Sequence, residues 1–196
     1  MVNMSKNKRN FFIGEIGSAI IFFTGVLFIL IPNVYGLISS TEIAVNDLFL
    51  SMSLIIACIY FGFFYTIKSN PTRESIYLCI DASLCGILNI VLSHFLSESL
   101  TLALSILALT ASSSIIRLFT VKYYHDKKDG YFYIAGLLTG LYFVSGILIS
   151  ISLFDNPLIQ TIELGFLLII HGGIESINVA TKSLLKAPRF LGKIKF

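Results

Sequence analysis

Long apolar runs separated by short polar breaks dominate this chain of 196 residues. A helix needs about 20 mostly apolar residues to cross the hydrocarbon core of a bilayer, where each backbone amide must find its partner within its own segment. Six runs meet that requirement, at approximately Phe11–Ile31, Val45–Ile67, Ser75–Leu96, Leu100–Val121, Tyr131–Phe154 and Ile159–Thr181. The pattern therefore predicts an all-α, polytopic membrane helical bundle with six transmembrane helices.

The breaks between these runs are short, which favours antiparallel neighbouring helices. We expect residues 1–10 to form a cytoplasmic head, residues 11–181 the transmembrane domain, and residues 182–196 a basic cytoplasmic tail. The first run follows basic residues, as in a secretory signal, but it exceeds the roughly 7–15 apolar residues of a cleaved signal and contains Glu15. It is therefore expected to remain as a helix.

Composition agrees with a membrane protein and argues against other classes. Hydrophobic residues make up 56% of the chain and charged residues 13%, against roughly a quarter charged in soluble domains. The basic residues form separate short clusters, which do not indicate a nucleic-acid partner. Cys58, Cys79 and Cys85 all lie inside apolar runs. We expect them to be small buried side chains, neither disulfide-bonded nor bound to metal.

Positive charge falls on one side of the six-span order. All 14 lysine and arginine residues lie in or near the N-terminus, the second-to-third and fourth-to-fifth connections, and the tail. Because cytoplasmic loops retain Lys and Arg, we expect a multi-pass protein of the inner (plasma) membrane with both termini in the cytoplasm. The lipid bilayer is then the main partner, and anionic lipid is expected to attract the basic tail.

A glycine recurs in each odd-numbered helix within a small-Gly-aliphatic-aliphatic segment. The three segments are Thr24-Gly25-Val26-Leu27, Cys85-Gly86-Ile87-Leu88 and Ser145-Gly146-Ile147-Leu148. Their spacing indicates three tandem helix hairpins, at about 11–68, 75–128 and 131–182. Hairpins that all start from one side would form a pseudo-threefold bundle of parallel repeats, unlike the inverted repeats of many transporters.

Proline follows the first and fifth helices at Pro32 and Pro157, and the sixth helix carries the glycine-centred segment 169–177. Together with the repeated glycines, and with Arg117 after three serines, these features resemble the HdeD-type acid-resistance membrane proteins, which consist of repeated two-helix units. The resemblance implies a role in acid or envelope stress and no specific chemistry. The chain departs from that pattern because its middle repeat lacks the proline and it contains no tryptophan.

Four ionisable residues lie at similar predicted depth, each in a different helix: Glu15, Asp81, Arg117 and Glu175. A charged group inside the membrane costs about 2.5–3.5 kcal/mol on insertion scales and needs a partner or a purpose. If all four face inward, they form one polar cluster. Arg117 could pair with Asp81 or Glu175, or could extend alone to the lipid phosphates, which is the simpler arrangement. Glu15 could equally be an interfacial carboxylate.

The sixth helix has the most organised polar face. Its members at helical spacing are Gln160, His171, Glu175, Asn178 and Lys182. His171 and Glu175 are four residues apart, so the pair could pass or sense a proton. The plainer alternative is that His171 hydrogen-bonds a neighbouring helix, where the two following glycines allow close approach.

Familiar catalytic motifs are absent from the sequence, including HExxH and a glycine-rich phosphate loop. We therefore expect no enzymatic activity, no cofactor and no metal. The leading hypothesis is a non-enzymatic protein of acid or envelope stress tolerance, in which Glu175, His171 and Asp81 couple protonation to helix packing. The alternatives are a small transporter or channel with a proton-linked path along the sixth helix, and a subunit of a homo-oligomer or of another membrane protein.

Overall fold

The computed structural model describes residues 6–38, 45–66, 72–152 and 156–185. Within these ranges the chain forms helices and short turns, with no strand. The helices are α1 Lys6–Ile38, α2 Val45–Thr66, α3 Thr72–Ser93, α4 Glu98–Asp126, α5 Tyr131–Ser152 and α6 Pro157–Leu185. Each of the six contains a segment long and apolar enough to cross a membrane. The predicted all-α, six-span bundle is confirmed.

The helices extend beyond several of the predicted bounds. Helix α1 already begins at Lys6, inside the predicted head, and α6 runs to Leu185, inside the predicted tail. Asn156 caps the start of α6, because its side-chain oxygen accepts a hydrogen bond from the Leu158 amide at 2.9 Å. Pro157 then occupies the first helical position, which needs no amide donor. The lipid contacts predicted for residues 186–196 lie outside the described residues.

Each odd helix packs closely against one even helix. The most extensive contacts join α1 to α6, α2 to α3 and α4 to α5. The repeated glycines lie at these contacts: Gly25 faces Gly165 of α6, Gly86 faces Ser53 of α2, and Gly146 faces Thr110 of α4. The tight pairs are thus offset by one helix from the predicted tandem repeats, and in each pair the glycine lies at the helix contact.

Helices α1 and α6 approach each other with backbone atoms in contact. A Cβ atom placed on Gly172 would lie 2.7 Å from the Phe22 amide nitrogen and 2.8 Å from the Ser18 carbonyl oxygen. A Cβ atom on Gly14, near the start of α1, would meet Val179, near the end of α6. The two helices are therefore antiparallel, and the start of α1 and the end of α6 lie at one end of the bundle, called here the terminal end. The opposite end is called the distal end.

The even helices form the inside of the bundle. Helices α2, α4 and α6 are more buried than α1, α3 and α5, and α2 contacts both of the other even helices. Large apolar side chains such as Phe23, Leu84 and Leu148 point outward from the odd helices. An apolar outer surface is what the interior of a bilayer requires.

The three cysteines differ in burial. Cys85 is buried and Cys79 is half-buried, but Cys58 is exposed on the outer surface of α2. The expectation that all three are buried is therefore wrong for Cys58. In a bilayer the outer surface is itself an apolar environment, so a small apolar side chain can face outward without cost.

Candidate functional site

An ion pair lies buried between two inner helices. Arg117 Nη2 on α4 is 2.5 Å from Glu175 Oε1 on α6, and the two side chains are 4% and 10% exposed. Each charge thus has the opposite partner that a buried position demands. Of the two arrangements weighed for Arg117, the structure shows pairing with Glu175. The simpler arrangement, in which Arg117 extends alone to the lipid phosphates, is not observed.

Tyr60 on α2 links this ion pair to His171. Arg117 Nη2 donates a hydrogen bond to the Tyr60 hydroxyl oxygen at 2.7 Å. The same hydroxyl is hydrogen-bonded to His171 Nε2 at 2.9 Å, with the donor set by the tautomer of the imidazole. His171 therefore bonds to a neighbouring helix, as in the plainer alternative, and is also connected through one phenol to the ion pair.

Tyr142 on α5 covers the group from a fourth helix. Its ring centroid lies 5.7 Å from Arg117 Cζ, within the range of a cation–π contact. It also lies 5.0 Å from the centroid of the His171 ring, in a T-shaped arrangement. We call Tyr60, Arg117, Tyr142, His171 and Glu175 the central cluster.

Some polar atoms of the central cluster have no hydrogen-bond partner among the described residues. They are the Tyr142 hydroxyl oxygen, His171 Nδ1 and Arg117 Nε. Buried polar atoms are normally paired, because leaving one unpaired costs about 1–3 kcal/mol. The cluster therefore has more hydrogen-bonding capacity than the surrounding protein uses.

Three members of the central cluster follow glycine contacts on the inner helices. Tyr60 is seven residues after Ser53, and Arg117 is seven residues after Thr110, where Ser53 and Thr110 face the repeated glycines. On α6, Gly25 faces Gly165 and Ile169, and Glu175 is ten residues after the first and six after the second. The three side chains meet because Arg117 bonds both Tyr60 and Glu175.

Asp81 on α3 lies beside the central cluster without pairing with Arg117. Its Oδ2 accepts a hydrogen bond from Ser113 Oγ at 2.7 Å, and Ser113 is one helical turn from Arg117 on α4. The Cys85 thiol lies 4.0 Å from Oδ1. The carboxylate is thus buried and held by a hydroxyl from the neighbouring helix.

Glu15 stands apart from the other three charges. Its Oε2 accepts a hydrogen bond from Ser176 Oγ at 2.7 Å, half-buried between α1 and α6. The expectation that four charged residues form one cluster therefore holds for Arg117 and Glu175 only. Equal depth along the helices does not fix the direction in which each side chain points, and successive residues of a helix are rotated by about 100°.

Asn178 connects α6 to α5. Its Oδ1 accepts a hydrogen bond from the Tyr131 hydroxyl at 2.8 Å, and both side chains are buried. Sequence reasoning missed Tyr60, Tyr131 and Tyr142 as partners. The available signal was a tyrosine inside an apolar run, where a buried hydroxyl usually needs a hydrogen-bond partner.

A second polar group lies toward the distal end. Asn89 Nδ2 on α3 donates to Asn46 Oδ1 at 3.2 Å and to Ser105 Oγ at 3.1 Å, which ties α3 to α2 and α4. Between this group and the central cluster lie side chains that are at most 2% exposed: Met52, Ile56, Leu109, Leu167 and Leu168. We call these five residues the apolar layer.

In the part of the chain that the structure describes, no group of three or more His, Cys, Asp and Glu residues could hold a metal ion. The side chains of the central cluster can form ion pairs and hydrogen bonds and can exchange protons.

No protein-family model, no curated protein and no solved structure matches the chain. Its resemblance to the HdeD-type proteins stays a prediction.

Proposed function

We propose that this multi-pass membrane protein is non-enzymatic and that acid regulates its helix packing through the central cluster. The observation that carries the proposal is the buried Arg117–Glu175 ion pair. Protonation of Glu175 removes the negative charge and leaves the guanidinium unneutralised inside the bundle. Loss of one partner of a buried pair costs about 3–5 kcal/mol. The stability that the pair contributes at neutral pH is therefore lost as the pH falls.

His171 is the hydrogen-bonding neighbour of the ion pair, joined to Arg117 through Tyr60. Its imidazole is buried beside the guanidinium, so we assign the response to acid to Glu175. Acid would then change the formal charge of the central cluster from neutral to positive and remove the attraction that holds α4 to α6.

Other ionisable groups also surround the ion pair. Asp81 and Glu74 on α3 act electrostatically on Arg117, and Tyr142 faces it from α5. Farther away, Glu15 on α1 accepts a hydrogen bond from Ser176, the residue after Glu175. The Asp81 carboxylate partly offsets the positive charge of Arg117, because it is bonded to Ser113, one helical turn before Arg117 on α4. We assign the larger response to Glu175, because it contacts Arg117 directly.

The resemblance to HdeD-type proteins supports acid or envelope stress tolerance as the physiological setting. The one-sided distribution of Lys and Arg supports the inner (plasma) membrane with both termini in the cytoplasm. The protein would then couple acidity to a change in helix packing or in its contacts with a membrane partner.

Survival after acid challenge tests the proposal in cells. Cells with Glu175→Gln or His171→Ala should survive less well than cells with the wild-type protein at equal membrane abundance. Asp47→Asn is the matched control, because Asp47 is an exposed acid near the start of α2. Unimpaired survival of both cluster variants would reject the proposed function.

A small transporter or channel with a proton-linked path along the sixth helix is the second candidate. It is favoured by the Tyr142, His171 and Arg117 atoms that have no hydrogen-bond partner among the described residues. Such atoms would pass protons along the bundle. Purified protein in liposomes loaded with a pH-sensitive dye should then admit protons, and Glu175→Gln should abolish the flux. A proton flux equal to that of protein-free liposomes would exclude proton transport.

A further inference from the structure

The central cluster lies much nearer one end of the bundle than the other. Arg117 is nine residues from the end of α4 at Asp126 and 19 residues from its start at Glu98. At about 1.5 Å rise per residue, these separations correspond to roughly 14 Å and roughly 28 Å along the helix axis. The shorter path from the central cluster to the end of the bundle therefore leads to the terminal end.

Polar side chains continue from the central cluster toward the terminal end. Thr120 follows Arg117 by three residues on α4, and Asn178 follows Glu175 by three residues on α6, and both are buried. The Tyr131 hydroxyl donates to Asn178, and the Tyr131 ring packs against Tyr124 with centroids 4.7 Å apart. We call Thr120, Tyr124, Tyr131 and Asn178 the polar route.

The polar route ends at the turn between α4 and α5. The backbone amide of Tyr131 donates to Asp129 Oδ1 at 3.0 Å. In the same turn Lys127 and Lys128 are exposed. Hydroxyl and amide groups thus lie between the buried ion pair and a charged surface, and such groups can form hydrogen bonds with one another and with water.

The path from the central cluster to the distal end is lined by apolar side chains. The apolar layer offers no strong donor or acceptor on its side chains, and two polar side chains at its depth bond to their own helices. Ser53 Oγ donates to the Leu50 carbonyl at 2.8 Å, and Thr110 Oγ1 donates to the Ile106 carbonyl at 2.8 Å. A close-packed apolar region holds no water, because a buried water needs several polar partners.

We infer that the central cluster exchanges protons with the terminal end of the bundle through the polar route, and that the apolar layer closes it to the distal end. The inference rests on the proposed function and specifies it: the protein responds to acidity in the compartment that contains its termini. Acid on the opposite side of the membrane would not reach Glu175.

Water access along the two halves can be measured with a matched pair of cysteine variants. Thr120→Cys lies on the polar route and Ser53→Cys lies at the apolar layer, and each exchanges a buried hydroxyl for a thiol. Both are made in full-length protein with Cys58, Cys79 and Cys85 replaced by alanine. A small, water-soluble thiol reagent is then added to either side of oriented vesicles at neutral pH.

We expect Thr120→Cys to react from the terminal side at least roughly tenfold faster than Ser53→Cys reacts from either side, because a thiol in apolar surroundings is inert. Asn178→Cys gives the same measurement on α6 if Thr120→Cys does not fold. Equal rates for the route and layer positions, or faster reaction from the distal side, would overturn the inference.

A second arm of the experiment separates this inference from the proposed function. Acid applied only to the terminal side should increase the labelling rate of Thr120→Cys severalfold relative to that of the exposed Lys128→Cys at the same pH. This reference corrects for the smaller thiolate fraction in acid. Glu175→Gln should remove the increase. Acid on the distal side should have no effect. If the neutral-pH rates follow expectation but acid changes nothing, the polar route stands and the proposed function fails. If distal acid alone is effective, the inference is wrong.

Discussion

Tyr60 is the residue on which the hydrogen bonds of the central cluster converge. Its hydroxyl accepts from Arg117 and is bonded to His171, so three inner helices depend on one oxygen atom. Tyr142 is equally buried, but its hydroxyl has no hydrogen-bond partner among the described residues. The two tyrosines therefore form a natural pair for mutation.

We predict that Tyr60→Phe lowers the free energy of unfolding by about 1–3 kcal/mol, because it removes a hydrogen bond from Arg117 and leaves the buried His171 Nε2 without its partner. Tyr142→Phe removes a hydroxyl that bonds to no described residue and should change stability little. Denaturation of the purified proteins in detergent, followed by circular dichroism, measures both. Equal losses for the two variants would contradict the predicted role of Tyr60.

The Glu175 carboxylate should also give stability a definite pH dependence. The wild-type protein is expected to be most stable at neutral pH and to lose stability in acid, as protonation removes the partner of Arg117. Glu175→Gln should start less stable and show a flatter dependence, whereas Asp47→Asn should keep the wild-type slope. Unfolding midpoints measured in neutral and acidic buffer test this, and a wild-type slope in Glu175→Gln would refute it.

The sequence identifies which charged residues belong to the candidate site better than it identifies which of them pair with each other. An arginine or glutamate inside an apolar run is conspicuous because burial of a charge is costly, and Arg117 and Glu175 indeed meet. Which acid pairs with Arg117 depends on the rotation of three helices, and no local pattern encodes that rotation. Asp81 and Glu15, at comparable depth, accept hydrogen bonds from serines instead.

The contact between α1 and α6 is the clearest feature at the scale of helices. Gly172 is where their backbones touch, whereas a Cβ atom on the adjacent Gly173 would meet nothing within 4 Å. The two glycines lie next to each other on α6, but only Gly172 is packed against α1. Replacing each with alanine in turn therefore distinguishes the effect of helix packing from the effect of helix propensity.

Gly172→Ala is predicted to destabilise the protein by about 1–3 kcal/mol, since the new methyl group would overlap backbone atoms of Ser18 and Phe22 that cannot rotate away. Gly173→Ala should be neutral, or stabilising by up to about 1 kcal/mol, as alanine favours helix more than glycine does. Thermal unfolding in detergent distinguishes them. A Gly172→Ala protein as stable as wild type would show that α1 and α6 do not pack this closely.

The number and approximate position of the helices could be predicted because the bilayer sets a minimum apolar length. The pairing of helices could not. Every odd helix has an even neighbour on each side, and a repeated glycine permits close approach to either. In the structure all three glycines face the even helix that precedes their own in the ring, so the tight pairs cross the boundaries of the sequence repeats.

For the whole molecule, the orientation in the membrane remains a prediction from charge. Exposed Lys128 lies in the turn at the terminal end, and exposed Ser97 lies in the turn at the distal end. With a membrane-impermeant maleimide and intact cells, Ser97→Cys should be labelled and Lys128→Cys should not, and both should react after permeabilisation. The three native cysteines are replaced as above, and the reverse pattern would place the termini outside.

The meeting of Tyr60, Arg117 and Glu175 from three different inner helices has a consequence for how such a centre can arise. Three separate copies of a single hairpin would bring three identical residues together there, and three guanidinium groups or three carboxylates would repel. Covalent fusion of the units frees each one to diverge. A base, an acid and a phenol can then share a spot that strict symmetry would have to fill with uncharged groups.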